Sequence, residues 1–318
     1  MKTDISVLIP TYNRAQELAR TLKGMTDAER GGLSVETIVI DNGSTDETKS
    51  VVASFADRLR IRYIFESRPG KSRALNTALE EGVLGNIVAF TDDDVDPSRE
   101  WLVSIASASE RWPQHSVFGG RINIRFPIEN VPQWAFDPEI SRFAFAYHNY
   151  ASDERVYRDG WMPFGPNFWL RSELLRNGRR FNEAIGPFAT GMILGEDTSF
   201  LLGLLHEGNE IVFVPDALVT HRIRAEMLEL SILYRRAFRR GRGEAHIYGI
   251  RDMELLRRSP TAWFLYRRGS IIRYALETFT SFIFSDSERG PLKVTEKMRA
   301  LGYRVEAIRI AKEMFKRS

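Results

Sequence analysis

Asp92, Asp93, Asp94 and Asp96 directly follow an apolar run, Ile87-Val88-Ala89-Phe90. Like charges about 4 Å apart repel by roughly 1 kcal/mol in water and several times that against protein, so this cluster calls for a counter-charge. A hard divalent cation supplies one, and Mg2+ is typically held by one or two carboxylates together with substrate phosphates. The competing reading is a solvated acidic turn. Placement at the end of an apolar strand favours a site, because open α/β sheets bind ligands outside the carboxyl ends of their strands. An EF-hand does not fit. Asp92, Asp94 and Asp96 have its opening spacing, but Pro97 stands at its sixth position and Val103 at its twelfth.

Other polar groups could complete such a site. Asp41 ends a second apolar run, where a carboxylate can accept from a nucleobase N–H or simply close an Asx-turn in "DNGSTD". Arg68, Lys71 and Arg73 in "RPGKSR" suit a diphosphate or a solvated helix start. Glu196 and Asp197 open a helical stretch, so they are either reactive carboxylates or favourable partners of a helix N-terminus. His221 follows the last apolar run, as a metal ligand or as a structural histidine. The chain contains neither G-x-x-x-x-G-K-[ST] nor a G-x-G-x-x-G after a strand, nor G-x-S-x-G, which removes the usual phosphate loops and the serine-hydrolase elbow.

Strands alternating with helices must position these groups. "DISVLIP" reads as a strand stopped at Pro10, and residues 14–28 as a helix with Leu18, Leu22 and Met25 on one face. "SVETIVID" is a second strand, with Ser44 or Thr45 available to cap the helix that follows. "LRIRYIFE", "GKSRALNTALEEG", "NIVAF" and "PSREWLVSIASASERW" continue as strand, helix, strand, helix. Residues 120–160 lack periodicity and read as loops with an edge hairpin, "GEDTSFLLGLLHEG" as a helix, and "EIVFVPDALVTHRI" as one or two final strands. The alternation predicts a mostly parallel, Rossmann-like central sheet flanked by helices. "TYNR", "DNGSTD" and "TDDD" all fall at its strand carboxyl ends.

Taken in order, "VLIPTYNR" (7–14), "IVIDNGSTDET" (38–48), "GKSRALNTAL" (70–79), "VAFTDDDVDP" (88–97), "GPNFWLRSELL" (165–175), "GEDTSFLLGLLHEG" (195–208) and "VPDALVTH" (214–221) resemble the family-2 glycosyltransferases of the GT-A fold. The resemblance implies inverting transfer from a nucleotide-diphosphate sugar with a divalent cation, Mn2+ or Mg2+. It places Pro10, Thr11, Tyr12 and Arg14 around the nucleotide, Asp41 on the base, and Arg73 near the base or diphosphate. The D-x-D motif falls on Asp92-Asp93-Asp94, with Asp92 and Asp93 on the donor side and Asp94 on the metal; the extra aspartate leaves two registers. Asp197 matches the general base, and His221 a metal contact of some relatives. Asn167, Trp169 and Glu196 lie where the family contacts sugar or acceptor. A non-catalytic nucleotide-sugar-binding protein on the same fold is the alternative; a nucleotidyltransferase lacks its Gly-rich first loop.

The 318 residues include no cysteine, which excludes disulfides and thiol chemistry. The net charge of +3 conceals an asymmetry: residues 222–318 hold 22 Lys and Arg against 11 Asp and Glu. This predicts a catalytic domain over 1–221 and a basic, amphipathic helical extension over 222–318. Arg235, Arg236, Arg239, Arg240 and Arg242 flank an apolar stripe, and Arg273 and Glu277 interrupt the apolar run 263–285. The pattern suits either an anionic membrane surface or packing on the domain. Of the two acceptor classes expected, saccharide or lipid-linked, a lipid-linked one fits the first reading, and no module for nucleic acid accompanies the arginines. "MKTDISVLIPTYNR" is not a signal peptide, so the expected location is cytoplasmic, peripheral on the membrane face.

Overall fold

The computed structural model describes residues 3–187, 193–249 and 290–316. β1 (Ile5–Thr11) and β2 (Val35–Asp41) are buried along their whole length, as Val- and Ile-rich strands covered on both faces must be. With β3 (Ile61–Phe65) and β4 (Ile87–Phe90) they form a parallel set in the order β3-β2-β1-β4. Pro10 is accommodated in this central strand because β1–β4 pairing ends at Leu8. Proline's missing N–H therefore interrupts no bond there.

The sheet continues through β8 (Phe168–Arg171), antiparallel to β4, to β6 (Val117–Arg125) and β9 (Ile211–Arg222). Two short strands, β5 (Val95–Pro97) and β7 (Arg155–Val156), pair antiparallel with β9. Because β6 and β9 run parallel to each other, most strands share the direction of β1. This is a mixed α/β sheet of mostly parallel strands, as the alternation predicted.

Alternation along β1 sends Ile5, Val7 and Ile9 to one face and Leu8 to the other. On the first face α1 (Ala15–Asp27), α2 (Thr48–Ala53) and α4 (Trp101–Arg111) supply Leu18, Leu22, Val52, Leu102 and Ile105. On the second, α3 (Lys71–Glu80) and α6 (Glu196–His206) supply Leu75, Leu79, Leu201 and Leu204. In α1 the buried Ala15, Leu18, Leu22 and Met25 recur at helical spacing and form its inward stripe.

By its contacts the chain divides into two units. The first comprises 1–125, 145–183 and 197–223, and the second 126–144, 184–196 and 224–318. The sequence suggested a single cut at 221/222; the second unit also takes in two internal segments. One of them, inside the stretch read as loops and a hairpin, carries most of a helix, α5 (Pro138–Phe145).

Within the second unit, α7 (Leu230–Tyr248) and α8 (Gly290–Lys316) cross with their backbones in close approach. A Cβ at Gly241 would strike the Arg299 carbonyl, and one at Gly302 the Phe238 carbonyl. The fully buried Glu306 of α8 accepts from Arg242 Nε at 2.7 Å and pairs with His246 Nε2 at 3.0 Å and Arg309 Nε at 2.7 Å. Burial pushes this carboxyl up, but hydrogen bonds from His246, Arg309 and Arg242 outweigh it and hold it at about 2. The apolar run 263–285 lies outside the described residues.

Candidate active site

The parallel ladders continue one residue past their strands: Thr91 N–H donates to Leu8 O, Asn42 N–H to Thr11 O, and Glu66 N–H to Asp41 O. The residues after β1, β2 and β4 are thereby fixed side by side at the carboxyl edge of the sheet. This is the edge where ligands of open α/β sheets bind.

There the aspartates separate. Asp93 points inward and is 3 % exposed. It accepts from Thr11 Oγ1 at 2.7 Å and from Arg14 at 2.8 Å. Asp94 accepts from the same Arg14 nitrogen at 2.9 Å and faces His221 Nε2 across 3.5 Å. Asp92 turns the other way, and its Oδ1 lies 2.8 Å from Lys71 Nζ. The Asp96 carboxylate is held by Arg125 at 2.6 Å and by Arg222. Protein cations therefore supply much of the counter-charge that the sequence assigned to a metal ion.

Adjacent carboxylates in different settings titrate differently. Burial pushes Asp93 up, with the neighbouring Asp94 charge adding to it and Arg14 opposing. Burial also works against ionised Asp94, but His221, Arg14 and Arg222 overcome it and hold the group well below the usual carboxylate range. The His221 ring is lowered by burial but raised further by Asp94, for a net upward shift.

The Asp94–His221 pair fits a divalent cation. Asp94 Oδ1 is buried and accepts no hydrogen bond. His221 Nδ1 sits 2.7 Å from the Phe145 carbonyl, so in the neutral ring Nδ1 carries the proton and Nε2 presents its lone pair towards Asp94. A bond of this kind, from the ring nitrogen that does not face the metal, orients ligating histidines in metal sites. Ligands at right angles on a cation with bonds of about 2.1 Å sit about 3 Å apart, near the 3.5 Å found here. Among the described residues no group of three or more such ligands assembles.

Asp197, the second residue of α6, lies with its Oδ2 3.8 Å from the Lys71 ammonium that also holds Asp92. Its carboxylate fills the space beside Gly165, where a Cβ would approach Asp197 Oδ2 at well under 3.0 Å. The sequence offers Lys71 as a diphosphate contact or a solvated helix start, and gives Gly165 no role. Residue type and spacing do not reveal that either meets Asp197, because that proximity is created by folding.

The remaining expected residues have definite places. Asp41 is buried, accepting from Ser44 N–H at 2.8 Å and Tyr63 Oη at 2.7 Å. Burial and this bond raise the Tyr63 phenol. Pro10 is buried in β1, whereas Tyr12 is exposed beyond it. Arg14, expected at the nucleotide, is spent on Asp93 and Asp94. Arg73 pairs with Glu183 at 3.2 Å. Asn167 and Trp169 are both fully buried. Asn167 donates to Arg121 O at 2.9 Å and Ala217 O at 2.7 Å and accepts from Trp101 Nε1; Trp169 Nε1 donates to Ser109 Oγ. The polar atoms expected to meet a sugar thus tie the framework together. Glu196 is buried and counted with the second unit, its carboxylate 3.3 Å from Gly195 N.

Residues 6–178, more than half of the chain, match the model of the family described as glycosyl transferase family 2. The chain is 26 % identical over 259 residues to the glycosyltransferase AglE of Haloferax volcanii, covering 80 % of this chain and 77 % of that protein. It is 36 % identical over 189 residues to the GalNAc(5)-diNAcBac-PP-undecaprenol beta-1,3-glucosyltransferase of Campylobacter jejuni, covering 56 % of this chain and 55 % of that one. Among solved structures, the mannosyltransferase PcManGT of Pyrobaculum calidifontis, in complex with GDP-Man and Mn2+, superposes with a TM-score of 0.57 at 20 % identity. That match covers 100 % of this chain and 89 % of the other. The fold is that of the GT-A glycosyltransferases. The chain belongs to glycosyltransferase family 2.

Proposed function

We propose that this chain transfers a sugar, with inversion, from a nucleotide-diphosphate donor to a hydroxyl of a saccharide or lipid-linked acceptor in polysaccharide or glycolipid synthesis. The observation that carries this reading is the Lys71 ammonium shared by Asp92 and Asp197, which this reading puts on the donor and acceptor sides respectively. It brings a candidate base close to a candidate diphosphate site.

In this reading Asp197 takes the acceptor hydroxyl proton, and Gly165 leaves room for its carboxylate. Lys71 keeps Asp197 from drifting when no acceptor is present. Asp94 and His221 would hold the divalent cation, which when bound neutralises charge developing on the leaving diphosphate. Asp41 would accept from the nucleobase, with Thr11 and Tyr12 beside it, and Asp92 would face the ribose. The GDP-Man and Mn2+ of the mannosyltransferase complex and the undecaprenol-linked substrate in the Campylobacter relative's name support the donor, cation and acceptor classes. Asp197→Asn is expected to lower kcat by about 10²–10⁴-fold while nucleotide affinity measured by calorimetry stays within about twofold. Retained kcat would refute the base assignment.

The basic second unit suits an anionic lipid surface at which such an acceptor would be met. Among the described residues neither Arg235 nor Arg239 of α7 meets a carboxylate in an ion pair. Burial, with Arg235 and Arg242 nearby, lowers the Arg239 guanidinium. No helix among the described residues is long and apolar enough to cross a membrane.

A further inference from the structure

His221 and Arg222 are consecutive on β9 and point to opposite faces of it, as strand neighbours do. His221 faces the Asp94 carboxylate; Arg222 lies on the other side of the acidic turn, towards α1, and is 9 % exposed. Its guanidinium makes an unusually complete set of bonds. Nη1 donates to Val95 O at 2.7 Å and to the Asp96 carboxylate. Nη2 lies 3.2 Å from Asp93 O, 2.9 Å from Thr21 Oγ1 and 2.9 Å from Glu17 O, and Nε donates to Glu17 Oε2 at 2.9 Å. The backbone takes part as well, since Arg222 N–H donates to Asp94 O at 2.9 Å. Thr21 Oγ1 sits between the carbonyls of Asp93 and Val95, at 2.8 and 2.9 Å. The peptide groups on both sides of Asp94 are thus gripped from the face opposite its carboxylate.

We propose that Arg222 is a positioning residue for the cation pair: by holding the Asp93 and Val95 carbonyls it fixes the Asp94 carboxylate at ligand distance from His221. The proposal rests on reading Asp94 and His221 as the cation ligands. A side chain that only balanced Glu17 and Asp96 would need no bonds to the carbonyls flanking Asp94, and could be exchanged together with those two carboxylates without consequence for the cation. Arginine suits the clamp because its planar fork reaches several acceptors at fixed angles, which a lysine ammonium cannot do.

The test separates the two arms of the guanidinium. Glu17→Gln with Asp96→Asn removes the carboxylate partners but leaves the carbonyl bonds in place. Adding Arg222→Met then removes the clamp without stranding a buried charge, which would otherwise destabilise the fold. Mn2+ affinity is read by electron paramagnetic resonance in the presence of UDP or GDP, and folding by circular dichroism and Tm. The double variant is expected to bind Mn2+ within about threefold of wild type, and the triple variant about 10–100-fold more weakly, as for other outer-shell partners of metal ligands. Arg222→Lys, which keeps the charge, is expected to fall between them, and it reads the same affinity should the triple variant not fold. Wild-type Mn2+ affinity in the folded triple variant or in Arg222→Lys overturns the positioning role while leaving the cation site standing. Absence of Mn2+ binding by wild type overturns the cation reading, and with it this one.

Discussion

Asp93 and Asp94 are neighbours in sequence with opposite settings, one turned in towards Thr11 and the other set against His221. The sequence showed that something at this turn had to be neutralised, but not how the charges divide. That depends on Arg14, Lys71 and Arg222, which arrive from the residue ahead of α1, the start of α3 and the end of β9. In the proposed reading Asp94→Asn abolishes Mn2+-dependent turnover, whereas Asp93→Asn acts mainly on stability, through loss of an acceptor for Arg14 and Thr11. Thermal melting with and without Mn2+ and GDP or UDP distinguishes them: ligand-induced stabilisation disappears in the first and persists in the second. Gly165→Ala addresses Asp197 without changing it. An added methyl would displace the carboxylate, so kcat is expected to fall by at least about tenfold in a protein of near-normal Tm. Unchanged kcat would show that Asp197 is not used where it sits.

At the scale of elements, the strands bearing β-branched runs and the helices with a clear apolar stripe were legible in the sequence, because their burial follows from local pattern. Elements defined by distant partners were not. β5 is only three residues long and exists because Val95, Asp96 and Pro97 pair with His221, Thr220 and Val219. Ser44 and Thr45, expected to cap α2, bond instead with Asn13, through Asn13 N–H to Ser44 Oγ and Thr45 N–H to Asn13 Oδ1. The helix begins later, and Asp46 takes the Thr48 N–H and hydroxyl. Asn42 likewise stitches the loop ahead of Lys71, donating to Glu66 O and Arg68 O and accepting from Gly70 N–H. The α7–α8 crossing makes a sharper prediction. Gly241→Ala or Gly302→Ala would force backbone apart and cost about 1–3 kcal/mol or more, lowering Tm by several degrees. A Tm equal to wild type would contradict the close crossing.

For the whole molecule, the charge asymmetry suggested a single cut at 221/222, whereas by contacts residues 224–318 group with the internal segments 126–144 and 184–196. The internal segments that join the second unit carry no compositional mark and could not be assigned from sequence. The second unit also holds a pH dependence. Glu306 is held at about 2 in the folded chain, below the 4.3 of a free glutamate. A depressed carboxyl stabilises fully above its unfolded value and loses that contribution as pH falls towards the folded one, from about 4.3 to about 2. The Tm difference between wild type and Glu306→Gln is therefore expected to shrink steadily as pH is lowered through that window; a constant difference would contradict it. Binding to vesicles containing phosphatidylglycerol should weaken with salt and with Arg235→Gln plus Arg239→Gln, and equal binding to neutral vesicles would remove the membrane reading. The most direct test of metal-dependent transfer is nucleoside-diphosphate release from a panel of nucleotide-diphosphate sugars in Mn2+ and in EDTA. The expected result is turnover of at least one donor that stops with EDTA and in Asp197→Asn. Donor binding without turnover, or turnover indifferent to EDTA and to Asp197→Asn, would contradict it.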